Sequence, residues 1–229
     1  MKGSFILSFM IYLLTTGVTF AQSWLQPNYG LKSHETLFIR KIEATEGSAI
    51  FYLTVENRRN GGTFCADKNI FMVYPDGTRI KLLSAQGIPV CPDAYRFSSV
   101  GEKLDFTLVF PPLAKGVEWI DLIEECSDNC FHFYGIMLNN ELNRNINDAF
   151  ELAENDDPVK AMVSFIDILE EIDSKNMGIE GLIYVNIITL ARQSGTVGSS
   201  IDWYKKLKNS GTPRLQEYIK FLNDKGIKY

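Results

Sequence analysis

The chain has 229 residues, 45% hydrophobic and 22% charged, with 28 acidic against 23 basic residues and a formal net charge of −5. A mildly acidic balance excludes general binding to a nucleic-acid backbone, which requires clustered positive charge. The length allows one large domain or two small ones, each with its own core.

The chain opens M-K-G-S-F-I-L-S-F-M-I-Y-L-L-T-T-G-V-T-F-A-Q-S. Lys2 is a short positive region, Phe5 to Phe20 is apolar, and Thr19-Phe20-Ala21 puts small residues at the −3 and −1 positions of a cleavage site. This is the pattern of a secretory signal peptide over residues 1–21. As a membrane anchor the run falls short of a roughly 20-residue span and lacks a strong flank on its far side. No cysteine follows it to take a lipid, and no later stretch is long and apolar enough to span a membrane. Cleavage would start the mature chain near Gln22, leaving 22 basic against 28 acidic residues, a balance of −6. The expected location is the periplasm or the cell surface and extracellular space.

From Leu37 to about Leu138, short runs rich in β-branched and aromatic residues alternate with turn signals. Leu37–Ala44 and Ala49–Asn57 flank T-E-G-S, and Ile70–Tyr74 and Thr78–Leu83 flank P-D-G, so each pair predicts a hairpin. Leu104, Phe106, Leu108 and Phe110 alternate with Asp105, Thr107 and Val109, making one face wholly apolar. Val117–Ile123 and Phe131–Leu138 bring the total to about seven strands, enough for an immunoglobulin-like (Ig-like) two-sheet sandwich over residues 22–138. A single open sheet would leave the aromatic faces wet.

After Asn139 the period becomes helical. Leu142, Ile146, Ala149, Phe150 and Ala153 form one stripe; Val159, Met162, Val163, Ile166 and Leu169 form a second, with Pro158 in its first turn. A third helix is marked by Leu182, Val185, Ile188, Leu190 and Ala191, and a fourth by Ile201, Tyr204 and Leu207. Leu215, Tyr218, Ile219 and Leu222 mark a fifth, opened by Thr212-Pro213 and closed by Lys225-Gly226. Short polar loops make these antiparallel helical hairpins over residues 139–229. The predicted class is α+β multidomain, an all-β sandwich followed by an all-α block.

The segment Tyr184-Val-Asn-Ile-Ile-Thr-Leu-Ala191, Ser194-Gly195, Ser200-Ile-Asp-Trp-Tyr204 and Leu207 resembles a degenerate tetratricopeptide repeat. An earlier copy runs from Asn145 through Ala149, Asp156, Ala161 and Phe165. The small residues Ala161 and Ser200 are 39 apart, longer than the usual 34, with Ser174–Gly178 as the place for the excess. Two copies are too few for a free solenoid, so the block is expected to pack on the sandwich. Phe110-Pro-Pro-Leu113, Lys115-Gly116, Ile120-Asp-Leu-Ile-Glu124 and Phe133-Tyr-Gly-Ile136 resemble a β-sandwich module of uncharacterised exported proteins of Gram-negative bacteria. That likeness, from Thr36 to Leu138, implies a fold and an envelope location and no activity.

Four cysteines in an exported chain are expected to pair. The connectivities are 65–91 with 126–130, 65–126 with 91–130, or 65–130 with 91–126. Context favours the first. Cys126 and Cys130 fall in the loop between two strands, and Cys65 and Cys91 would pin the long Gly87–Ser99 connection. Loop-closure entropy gives about 2 kcal/mol for the small ring and about 3.5 kcal/mol for the larger. The competing reading takes Cys126, Cys130 and His132 as a soft metal set, since Cys130 and His132 share a strand face. A redox dithiol would depart from C-x-x-C and has no helix N-terminus beside it. As a strand residue among aromatics, His132 needs no functional reading, and His34 falls in an N-terminal loop.

Nucleotide, P-loop and hydrolase signatures are missing, and His34-Glu35 lacks the second histidine of a zinc-protease motif. Glu124-Glu125-Cys126-Ser127-Asp128 lacks a calcium loop's ligand alternation and reads as a solvated acidic turn. Asp167, Glu170, Glu171 and Asp173 read as the solvated face of a helix. From Glu141 to Glu180 there are 11 acidic and three basic residues; from Lys205 to Tyr229 there are seven basic residues against Glu217 and Asp224. Attraction within the helical block is the simpler account of this asymmetry; a basic end that meets an acidic partner or anionic surface is the sharper one.

The resulting expectation is a non-enzymatic binding or scaffold protein of the bacterial cell envelope. It would need no cofactor, would meet another envelope protein, and would use exposed aromatics such as Trp203 or Tyr204, one of them expected to be core. A metal or thiol protein using Cys126, Cys130 and His132, and a hydrolase with an unrecognised cleft between the domains, are the alternatives.

Overall fold

A computed structural model describes residues 21–172 and 177–229. Residues 1–20 of the expected signal peptide, Asp173, and residues 174–176 of the expected linker lie outside the described residues. Among the described residues the strands are β1 (Gln22–Leu25), β2 (Leu31–Lys32), β3 (Leu37–Ala44), β4 (Ala49–Glu56), β5 (Thr63–Phe64), β6 (Ile70–Val73), β7 (Arg79–Lys81), β8 (Ser84–Gln86), β9 (Tyr95–Arg96), β10 (Lys103–Phe110), β11 (Trp119–Glu124) and β12 (His132–Met137). Five helices follow: α1 (Asn140–Glu154), α2 (Pro158–Ile172), α3 (Glu180–Gln193), α4 (Val197–Asn209) and α5 (Leu215–Asp224).

The strands form two five-stranded antiparallel sheets, ordered β1-β3-β4-β10-β8 and β2-β12-β11-β6-β7, with β5–β9 as a separate small ladder. Their inward faces share one core. Leu37, Ile42, Phe51, Leu53, Leu108 and Phe110 of the first sheet meet Ile70, Met72, Ile120, Leu122 and Phe133 of the second. Phe51 and Phe110 pack edge to face at 5.3 Å. The predicted alternation in β10 holds: Phe106, Leu108 and Phe110 are buried, while Lys103 and Asp105 are exposed. The seven expected strands are β3, β4, β6, β7 and β10 to β12. The other five are two to four residues long, too short to display a period.

Asn139 caps α1, its side chain accepting from the Glu141 and Leu142 amides, each at 3.0 Å. Pro158 opens α2, where its missing N–H leaves no bond unmade. Helix α3 is the centre of the block. It packs on α2, α4 and α5, and Ile183, Tyr184, Ile187, Ile188 and Ala191 are buried along it. Helix α5 starts at Leu215, later than Thr212-Pro213 suggested, because Arg214 at the cap position takes a left-handed conformation, φ 57°.

The helices sit on the outer face of the second sheet. Met137, Trp119 and Leu31 turn away from the sandwich core and join the helical one. A register shift between Ile120 and Leu122, opposite Ile136 and Phe133, places an extra residue on β12. Gly135 occupies this bulge with φ 64°, and a Cβ there would lie 2.1 Å from the Gly178 carbonyl oxygen. Within the helical block, between α3 and α5, a Cβ on Gly181 would enter the Tyr218 ring at 2.1 Å. The N-terminal arm fastens the other side: Trp24 Nε1 donates to the Leu138 carbonyl at 2.6 Å, and Asn28 bonds Asn143 through backbone and side chain.

Gly135→Ala should cost about 3 kcal/mol, combining left-handed strain with a backbone clash. Gly116→Ala, at φ 77° with open space around it, should cost only about 1 kcal/mol. Urea denaturation followed by circular dichroism distinguishes them; equal losses would contradict the close seat.

Candidate functional site

The four sulfurs are joined as Cys65–Cys91 and Cys126–Cys130, with Cα separations of 5.3 and 5.5 Å. In this state neither Cys126 nor Cys130 offers a thiolate, and no group of three or more metal-ligating side chains occurs among the described residues. Both disulfides border one crevice of about 270 Å³. Glu124, expected on a solvated turn, is instead buried between the two disulfide loops. Its carboxylate accepts from the Asp67 amide at 2.7 Å and the Phe131 amide at 3.0 Å. Burial pushes its pKa up against those two donors. Burial and both bonds follow from where β11 and β12 close, which the local sequence E-E-C-S-D does not reveal. Glu125 remains outside and pairs with Arg79 at 2.6 Å.

The structure brings together the two histidines, which sequence placed far apart. The His132 amide donates to Ser33 Oγ at 2.9 Å, and that oxygen lies 2.7 Å from His34 Nδ1. His34 Nε2 is enclosed, with the Asn129 side chain as its polar neighbour. The His132 ring leans on Tyr134 at 4.4 Å. Burial lowers both pKa values below the ordinary 6.5; Asn129 opposes it for His34, while His34 and Arg214 reinforce it for His132 against Asp121 and Glu217.

Beyond Tyr134 lies the ion pair that ties α5 to the sandwich. Arg214 donates to Asp121 Oδ2 at 2.5 Å and covers the Tyr134 ring at 3.5 Å. Asp121 Oδ1 accepts from the Gly135 amide at 2.7 Å. A lone acid in W-I-D-L-I was the available sequence signal for this contact.

A groove runs between this frame and the helices. One stretch, about 330 Å³, is lined by Pro27, Tyr29, Phe38 and Arg40 from the sandwich and by Phe150 and Leu182 from α1 and α3. The next, about 370 Å³, is lined by Leu31, Val185, Asn186, Thr189, Gln193, Phe221 and Lys225. Phe150 and Leu182 border both, so the two stretches adjoin. Asn186, Thr189 and Gln193 follow one face of α3 at helical spacing. The Thr189 hydroxyl is buried without a partner, and Phe221 is 44% exposed. Six separate elements supply this lining, so no local motif announces it.

A larger trough, about 670 Å³, lies on the first sheet's outer face. Much of its polar lining is satisfied internally: Arg40 Nε donates to Thr54 Oγ1 at 3.2 Å, Thr54 donates to Asp105, and Tyr52 donates to Glu43 at 2.7 Å. It is therefore the weaker candidate. Of the expected aromatic contacts, Tyr204 is core, edge-on to Tyr229 at 5.5 Å; Trp203 is half-buried beneath Lys206 at 3.6 Å. Asp167, Glu170 and Glu171 are exposed on α2.

Comparison of the chain with protein-family models, curated proteins and solved structures finds no match. Function must be argued from geometry.

Two measurements follow from the site. Thiol titration of the unfolded, unreduced protein should find no free thiol, with four released on reduction; free thiols at Cys126 and Cys130 would reopen the metal reading. Because both histidine pKa values are lowered in the fold, the unfolded chain binds more protons just below pH 6.5, and stability present above that pH should decline as pH falls. Burial raises Glu124 and Glu180, which act in the opposite sense, so the histidine contribution is the difference from a His34→Gln/His132→Gln variant. Urea midpoints should decline less steeply for that variant; parallel profiles would exclude the histidines as the cause.

Proposed function

We propose that the protein is an exported binding or scaffold module of the bacterial cell envelope. In this reading an Ig-like sandwich holds a TPR-like helical block, and the groove between them receives an extended segment of another envelope protein. The observation that carries the reading is the groove itself. It is mainly apolar, and the α3 face within it presents the side-chain amides of Asn186 and Gln193. Such a lining suits a polypeptide, whose side chains can take the apolar contacts while its main chain meets the Asn186 side-chain carbonyl and Gln193.

The frame supports the same reading. Two disulfides limit local opening at the far end of the sandwich, in keeping with an oxidising compartment. The Asp121–Arg214 pair and the arm at Trp24 and Asn28 fix the groove walls relative to one another. A preformed cleft loses less entropy on binding than a flexible one. No helix among the described residues is long and apolar enough to cross a membrane.

A photo-crosslinking residue at Gln193, on the groove rim, should capture a specific envelope partner in cells. Phe221→Glu, at an exposed wall position, should weaken capture about tenfold while leaving thermal unfolding unchanged. Capture indifferent to Phe221→Glu, or none above background, would remove the groove from consideration.

A further inference from the structure

The charge asymmetry of the helical block points outward. Between Glu141 and Ile172 there are nine acidic and two basic residues; from Lys205 to Tyr229 there are seven basic and two acidic ones. Attraction between these halves would explain the pattern most simply, but α3 lies between them. It packs on α2 and on α4 and α5, while α1 and α2 make no substantial packing contact with α4 or α5. Ion pairs stay local: Lys160 with Asp157 at 2.7 Å, Arg144 with Glu141 at 3.9 Å, Lys205 with Asp202 at 3.7 Å. Arg214 is committed to Asp121. Among the described residues no ion pair joins the acidic helices to the basic ones.

Each charged face also exposes apolar surface. On α2, Val159 and Val163 are 53% and 48% exposed and share a helical stripe with Asp167; Glu170 lies one turn on. On the basic half, Val197 at the start of α4 is 45% exposed, and Lys220 and Lys228 are exposed; Phe221 belongs to the groove. Asp167, Glu170, Lys220 and Lys228 make no ion pair among the described residues.

We propose that these are the two halves of one interface: the α1–α2 face of one copy docks on the α4–α5 face of another, head to tail. A second copy supplies both the complementary charge and the complementary apolar surface. An anionic bilayer would engage only the basic face and would repel the acidic one. The contact is heterologous, so it closes into a ring or continues as a filament.

Sedimentation velocity of the purified protein tests this across concentration and ionic strength. Association should grow with concentration at low salt and recede at high salt. Lys220→Glu/Lys228→Glu should weaken it about tenfold or more, as should Asp167→Lys/Glu170→Lys. The two sets combined restore the original net charge with the four contact charges exchanged, and association should return. In a mixture of isotopically heavy and light copies, carbodiimide should link Lys220 or Lys228 of one copy to Asp167 or Glu170 of another. A monomer under all conditions overturns the proposal, as does association untouched by either set. So does binding to phosphatidylglycerol vesicles that depends on Lys220 and Lys228 without any copy-to-copy association.

Discussion

The outer face of the second sheet cannot remain bare. Trp119, Met137 and Leu31 project from it, and the sandwich core lies on the opposite side. The helices supply the missing cover, and burying those side chains is the term that joins the two halves of the molecule. Close approach depends on glycine. At Gly135 the strand bulges, and the space a side chain would fill is taken by the Gly178 carbonyl. The same bulge frees the Gly135 amide to meet Asp121, and Asp121 is then positioned to receive Arg214. One irregularity in β12 thus sets both the contact distance and the charge that holds α5.

A buried ion pair is weak evidence for net stability, but removing one partner strands the other, typically at a cost of about 3–5 kcal/mol. Here the pair contributes direction. Arg214 adopts φ 57° at the start of α5 while its guanidinium lies between Asp121 and the Tyr134 ring. The orientation of α5 sets Phe221 and Lys225 at one wall of the groove. The groove is therefore a product of the seat: moving α5 would change its width without altering any residue that lines it.

The two disulfides and Glu124 form a second rigid centre, a few residues along β11 and β12 from the helical seat. Glu124 accepts backbone hydrogen bonds from Asp67 inside the Cys65–Cys91 loop and from Phe131 just past the Cys126–Cys130 loop, so three covalent and electrostatic constraints converge on one end of the sandwich. The two histidines occupy the strip between this end and Tyr134. Their neutral forms suit that environment, because a proton on either would place charge beside the other or beside Arg214.

Fold class and much of the order of elements are legible in the local pattern of the chain. Long strands such as β4 and β10 announce themselves because period-two burial persists over eight residues, and the helices because an apolar stripe recurs every turn; in α2, however, the buried face is Ala161, Phe165, Ile168, Leu169 and Ile172, and Val159 and Val163 of the expected stripe stay exposed. Local hairpins and the Pro158 start followed from turn and cap chemistry. The short strands, the late start of α5, the burial of Glu124 and the meeting of His34 with His132 were decided by tertiary structure. Each depends on residues far apart in the chain, where periodicity carries no information. The groove belongs to the same class. Phe150, Leu182 and Phe221 read locally as helix surface or core; only packing of three helices against an N-terminal arm turns them into the walls of one cleft.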